Sequence, residues 1–155
     1  MSNAGIGRPA RDLSPESGPV LAAGRAASTR DLSRARALFE TVGLVDVARN
    51  ERWMDAVTGL SGSGPAYVYR FAEALIAGGV RAGLPAAVAQ RLAFQTLLGA
   101  AQMLVATGKS PRELREAVSS PGGTTLAGLA RMDQGKFFET VGEGVVAAAE
   151  RSREL

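Results

Sequence analysis

The sequence predicts a mainly α-helical chain led by one short β-α-β unit, and three observations support this. From Asn50 onward the apolar residues recur at helical spacing without an alternating run. Prolines and glycines punctuate that stretch where helices would start and stop. Ahead of it, two short apolar runs, Pro19–Ala23 and Leu44–Ala48, flank a single helical pattern.

Taken in order, residues 1–17 are rich in Gly, Pro, Ser and Arg and show no periodicity, so they read as a poorly ordered arm or tag. Met1-Ser2-Asn3-Ala4 reads as an expression remnant. The string Gly5-Ile6-Gly7-Arg8-Pro9-Ala10 matches a GxGxxA phosphate fingerprint, but no strand precedes it and Pro9 does not open an amphipathic helix. It is a chance match. Residues 18–49 form the β-α-β unit, with Ser28 capping its helix, Asp31 in capping-box position and Gly43 as the stop.

Residues 50–155 form the helical part, with helices expected at Glu51–Leu60, Pro65–Ala82, Pro85–Ala106, Pro111–Val118, Thr124–Met132 and Lys136–Arg153. Pro65, Pro85 and Pro111 sit at first-turn positions, where a missing N–H costs nothing. Gly83 and Gly108 are expected stops. The pair Gly78-Gly79 weakens its helix unless another backbone packs close.

The helix Pro85–Ala106 carries one charge, Arg91, and its apolar residues surround most of its circumference. Such a helix must be covered on nearly all sides, more than about a hundred residues of helical chain can supply, so a second copy is expected to provide the rest. The other reading is a central core helix in a monomer.

Composition narrows the chemistry. The chain has 155 residues, a length suited to one domain, and contains neither cysteine nor histidine. Disulfides, thiolate nucleophiles, Cys/His zinc sites and histidine bases are excluded. No metal site is expected, and any proton donor must be a hydroxyl, a carboxylate, a lysine or water. A formal charge of +3 with interspersed signs describes a solvated surface and not a nucleic-acid footprint. No targeting pattern stands out, so a cytoplasmic location is the default. The longest uncharged stretch, Leu92–Gly108, carries Gln95, Thr96 and Gln102 and is too short to span a membrane.

The most informative segment is Val118-Ser119-Ser120-Pro121-Gly122-Gly123-Thr124-Thr125, which runs into the helical Leu126–Ala130. Proline ends one element, two glycines free the backbone and two threonines open the next helix, so unpaired N–H groups converge where a small carboxylate would fit. An ordinary capped helix start is the plainer reading, and for Thr125 alone it would be preferred. A second segment, Ser61-Gly62-Ser63-Gly64-Pro65, has residues small enough for a backbone or flat ring to pass closely. Gly59-Leu60-Ser61-Gly62-Ser63 lacks the last glycine of a nucleophile elbow, and no histidine exists to activate Ser61.

The stretch SSPGGTT, preceded by Glu113-Leu114-Arg115 and followed by LAGLARMD, closely resembles the signature of the pyrroline-5-carboxylate reductase family. The block Asp55–Tyr67, DAVTGLSGSGPAY, resembles that family's interdomain segment, in the same order and spacing. The resemblance covers about Gly18 to Leu155. It implies a helical dimerisation domain of the 6-phosphogluconate dehydrogenase C-terminal-like type, preceded by a residual β-α-β edge of a Rossmann domain.

It also implies NAD(P)H-dependent reduction of 1-pyrroline-5-carboxylate to L-proline, the last step of proline biosynthesis. Ser120, Gly122, Gly123, Thr124 and Thr125 would then hold the carboxylate of a small cyclic imino acid, with Glu51 close to it. Glu51 reads equally as an ordinary first-turn acid. Thr125 would be the catalytic group, delivering a proton to the ring nitrogen. Ser61, Gly62, Ser63 and Gly64 would lie near the nicotinamide. Ala117 stands where the family commonly has a polar or basic residue, removing one contact near the cofactor.

NADPH or NADH would serve the full-length enzyme. This chain alone is expected to bind neither, because in the family the dinucleotide glycines lie in the preceding part of the Rossmann domain, which has no counterpart here, and it is therefore expected to be inactive by itself. The expected partner is a second copy, in a homodimer or a larger assembly of dimers. The alternative is a non-catalytic helical dimerisation module that binds a small carboxylate or no ligand. A relative within the wider 6-phosphogluconate or hydroxyacid dehydrogenase superfamily would carry a lysine-bearing catalytic helix, which is not found. Trp53, Tyr67, Tyr69 and Phe71 are spaced as core or dimer contacts, and Arg112, Arg115, Arg151 and Arg153 as a solvated rim.

Overall fold

The computed structural model describes residues 20–23, 27–41, 45–48 and 50–155. The GIGRPA string, the arm and Gly43 lie outside the described residues. The chain divides into two compact units, Met1–Gly62 with Val146–Leu155, and Ser63–Val145.

In the first unit, β1 (Val20–Ala22) pairs in parallel with β2 (Asp46–Ala48), in the register Val20 to Asp46, Leu21 to Val47 and Ala22 to Ala48. The crossover between them is α1 (Thr29–Phe39). Its capping box is formed: the Ser28 hydroxyl accepts from the Asp31 N–H, and the Asp31 carboxylate accepts from the Ser28 N–H at 3.0 Å. The helix ends at Phe39, earlier than the glycine stop implies, with the Thr41 hydroxyl bonding the Leu38 carbonyl at 2.7 Å. A hydroxyl that takes a last-turn carbonyl competes with continuation of the helix.

The single helix expected over Glu51–Leu60 is three pieces. A tight 3₁₀ turn at Glu51–Trp53 leads into one α turn, α2 (Met54–Val57), and then a wide π turn at Thr58–Gly62. Side chains account for the breaks. The Asn50 side chain accepts from the Arg52 N–H at 3.0 Å and tightens the start. Farther on, the Thr58 and Ser61 hydroxyls donate to the carbonyls of Met54 and Val57, four residues back, which distorts a helix.

The second unit holds α3 (Gly64–Arg81), α4 (Ala86–Thr107), α5 (Pro111–Ala117), α6 (Thr124–Gln134) and the first turns of α7 (Phe137–Arg153), whose last turns belong to the first unit. Pro65 and Pro111 occupy the first turns of α3 and α5. Pro85 differs: it is the N-cap of α4, with ψ of 140°, and its carbonyl accepts from Val88 and Ala89. The left-handed Gly83, with φ of 104°, turns the chain sharply just before it. α5 has a capping box that the sequence reading missed, with Glu113 accepting from the Ser110 N–H at 2.8 Å.

α3 and α4 pack against each other as neighbours. A Cβ on Gly79 would lie 3.1 Å from the Ala89 Cβ, so close helix packing explains this glycine. Gly78 meets nothing within 4 Å and is not explained in the same way. Across the unit, the Tyr67 hydroxyl donates to the Gly144 carbonyl at 3.3 Å, and the Phe71 and Phe137 rings lie 5.7 Å apart. Tyr67 and Phe71 are therefore half-buried contacts of α3 with α7, whereas Trp53 and Tyr69 are exposed.

Among the described residues, the buried apolar side chains are all alanines: Ala48, Ala72, Ala89, Ala93 and Ala149. The large side chains of α4 lie open within the single chain, with Phe94 51%, Leu98 52% and Val105 81% exposed. These three share one helical stripe with Ala101. No helix among the described residues is long and apolar enough to cross a membrane.

Candidate functional site

The loop between α5 and α6 is built in two steps. First, the Ser119 hydroxyl bonds the Arg115 carbonyl at 2.7 Å and its N–H bonds the Glu116 carbonyl at 3.1 Å, which closes the end of α5. Then Ser120–Gly123 makes a tight turn, with Pro121 second, Gly122 third at φ of +71°, and the Gly123 N–H returning to the Ser120 carbonyl at 2.9 Å. Proline followed by a left-handed glycine is the combination a type II turn requires.

Gly123, and not a threonine, is the N-cap of α6, and no side chain caps it. Thr124 and Thr125 are the first two helical residues, so their hydroxyls are not the capping groups that the plainer reading supposes. Helix geometry leaves the N–H groups of Thr124, Thr125 and Leu126 without intrahelical acceptors, at the positive end of the helix dipole. Thr125 is half-buried, and Ser120, Gly122 and Thr124 are exposed. The structure thus brings Ser120, Gly122, Gly123, Thr124 and Thr125 together in one turn.

The other predicted residues lie elsewhere. Glu51 is exposed at the start of the 3₁₀ turn, and Ser61 and Gly62 end the π turn, all in the first unit. Ser63 and Gly64 begin the second unit. Ser61 donates its hydroxyl to the Val57 carbonyl at 3.0 Å, so it is engaged structurally. A Cβ on Gly64 would meet nothing within 4 Å. Among the described residues no acidic cluster could hold a metal ion.

Among the rim arginines, Arg112 pairs with Glu116 and Arg151 with Glu154 on exposed helix surfaces. Arg153 is exposed as well, and its Nε lies 3.8 Å from Asp55 Oδ2. Ser152 Oγ also donates to Asp55 Oδ1 at 2.8 Å. The sequence reading gave neither Asp55 nor Ser152 a role, and a pairing over such a separation leaves no local sequence pattern.

A family model described as "Pyrroline-5-carboxylate reductase dimerisation" matches residues 51–155. The chain belongs to the pyrroline-5-carboxylate reductase dimerisation family. Similar proteins include the pyrroline-5-carboxylate reductase of Pisum sativum, 50% identical over 88% of this chain, and pyrroline-5-carboxylate reductase 2 of Bacillus subtilis, 43% identical over 83%. The chain spans about half the length of these curated relatives, 50% and 46% respectively.

Solved structures agree. A Plasmodium falciparum pyrroline carboxylate reductase with NADP bound matches with a TM-score of 0.80 and 31% identity, over 89% of this chain and 53% of that one. A pyrroline-5-carboxylate reductase from Coxiella burnetii matches with a TM-score of 0.81 and 35% identity, over 87% of this chain and 50% of that one. The helical half of a pyrroline-5-carboxylate reductase is thus the fold seen here, with the two parallel strands before it as the residual edge of a sheet.

Proposed function

We propose that this chain is the substrate-binding and dimer-forming part of an enzyme that reduces 1-pyrroline-5-carboxylate to L-proline with NADPH or NADH. The Ser120–Thr125 turn carries the reading. It presents backbone N–H groups on a rigid scaffold, aimed at one small space, and a planar carboxylate is the group that such donors accept. The N–H groups of Thr124 and Thr125 hold the carboxylate in the pocket shaped by Ser120, Gly122 and Gly123, and the Thr125 hydroxyl lies on the same helical turn.

Hydride arriving at the carbon of the C=N bond moves the π electrons to nitrogen, which then takes a proton. With no histidine in the chain, the Thr125 hydroxyl supplies that proton and recovers one from water. A nicotinamide cofactor supplies the hydride when bound. Ser61, Gly62, Ser63 and Gly64 offer it a surface without bulky side chains, and Glu51 is assigned to the imino acid. The pyrophosphate of the dinucleotide is assigned to the half of the enzyme that the relatives possess beyond the part matched here.

The same reading makes the working unit a homodimer. Two features support it: the open stripe of Phe94, Leu98 and Val105, and an apolar groove of about 710 Å³ between α3 and α7, lined by Tyr67, Phe71, Ala74, Leu97, Phe137 and Val141. A second copy covers both. A cytoplasmic location fits a chain that needs a soluble dinucleotide and a soluble imino acid.

Steady-state kinetics of Thr125→Ala, in this chain joined to the amino-terminal half of its relatives, test the assignment. Turnover should fall about 100-fold, a typical contribution of a positioned proton donor, with KM for the imino acid little changed. Loss in KM alone would make Thr125 a binding group only.

A further inference from the structure

α2 is a single helical turn between a 3₁₀ turn and a π turn, too short to hold itself in place. Its Asp55 is hydrogen-bonded at one carboxylate oxygen by the last turn of α7 and faces a cation at the other. Ser152 Oγ donates to Oδ1 at 2.8 Å across a separation of 97 residues, and Arg153 Nε lies 3.8 Å from Oδ2. The Asp55 side chain is 30% exposed, whereas the acids of the other ion pairs among the described residues are 49–65% exposed. A charge-assisted hydrogen bond shielded in this way keeps more of its strength than a pair in open solvent.

The π turn grows directly from this anchored turn. The Thr58 N–H bonds the carbonyls of Asp55 and Met54, the Thr58 hydroxyl bonds the Met54 carbonyl, and the Ser61 hydroxyl bonds the Val57 carbonyl. A shift of α2 is therefore passed through hydrogen bonds to Ser61 and Gly62.

We propose that Asp55, Ser152 and Arg153 form a clasp by which the carboxy-terminal turn of α7 sets the position of the Thr58–Gly62 turn, and with it the surface that Ser61 and Gly62 offer to the nicotinamide. The cofactor part of this rests on the reductase reading. All three are positioning residues: they act through the turn and touch neither substrate nor cofactor.

Two measurements test the clasp. Amide hydrogen exchange on this chain should be about three- to tenfold faster at residues 58–62 in Ser152→Ala, the loss expected for one hydrogen bond, while α6 keeps its protection. Ser152→Thr retains the hydroxyl and should restore the original rates. Unchanged exchange at 58–62 in both Ser152→Ala and Asp55→Asn overturns the clasp. If Ser152→Ala loosens the whole chain, Arg153→Gln decides, because it keeps the hydroxyl: faster exchange confined to 58–62 supports the clasp, and unchanged exchange overturns it.

In the chain joined to its amino-terminal half, Ser152→Ala should raise KM for the dinucleotide about three- to tenfold, with kcat and the imino-acid KM nearly unchanged. Equal effects on both substrates would reject the positioning role. If that protein reduces no 1-pyrroline-5-carboxylate at all, the reductase reading fails, and the exchange measurement still judges the clasp.

Discussion

The Ser120 hydroxyl oxygen lies 2.5 Å from the point where a Cβ on Gly123 would stand, and the Ser120 carbonyl lies 3.0 Å from it. Two sides of the turn are thus drawn together across a missing side chain. Gly123→Val forces them apart and turns the Thr124 and Thr125 amides away from a common target, so binding of a proline-like carboxylate should be lost. Chemical-shift titration with a proline analogue should show saturable changes at Ser120–Thr125 in the original chain and none in the variant. Binding to the single chain should be weak, since a half-solvated carboxylate keeps little of its electrostatic gain.

The open stripe on α4 leads to a second expectation. Leu98→Asp should weaken association on the order of 100-fold, as for loss of a central contact worth roughly 3 kcal/mol, because the carboxylate has no cation to meet in an apolar interface. Sedimentation at micromolar concentration should show a dimer for the original chain and a monomer or aggregate for the variant. A clean monomer for the original chain would remove the dimer.

Two capping boxes make the chain sensitive to acid. The carboxyls of Asp31 and Glu113 are held below their ordinary values of 3.8 and 4.5, first by the hydroxyls of Ser28 and Ser110 and then by the N–H groups of the same residues. A carboxyl that is more acidic in the folded chain stabilises it fully above its unfolded value, and that contribution fades as pH falls through the folded value. Melting temperature should therefore drop below about pH 4.5, and Ser110→Ala should flatten that drop.

The paired glycines of α3 separate two effects that look alike in the sequence. Gly78→Ala should stabilise the chain by about 0.5–1 kcal/mol, the ordinary gain of alanine over glycine within a helix. Gly79→Ala should lower the melting temperature, because its methyl would stand 3.1 Å from the Ala89 Cβ and press the two helices apart. Thermal melts of the two variants should move in opposite directions.

Much of the fold was legible because its signals are local. Ser28 with Asp31, Pro65 and Pro111 at helix starts, and Gly83 and Gly108 after helix ends each act within a few residues of themselves. The break of Glu51–Leu60 was hidden because its apolar spacing still reads as helical; only the bonds from the Thr58 and Ser61 hydroxyls to the carbonyls behind them reveal the change of pitch. The glycine turn at Ser120–Thr125 could be anticipated from Pro121 and Gly122, but the sequence pointed to threonine as the cap where Gly123 serves. Least legible was the Asp55–Ser152 contact, since neither residue carries a pattern that names the other.

An interior of alanines also has a genetic consequence. On the dimer reading each copy completes its packing with the other's side chains, so a defect on α4 or along the α3–α7 groove is shared by both members of a pair. In a cell producing normal and altered chains together, most assemblies would contain at least one altered member, and the normal chains caught in them would be lost as well. Substitutions that spoil this packing while still allowing the copies to pair should accordingly act dominantly, whereas one that blocks pairing, such as Leu98→Asp, should be recessive. Substitutions at the Ser120–Thr125 turn, where each copy keeps its own intact set of donors, should be recessive too.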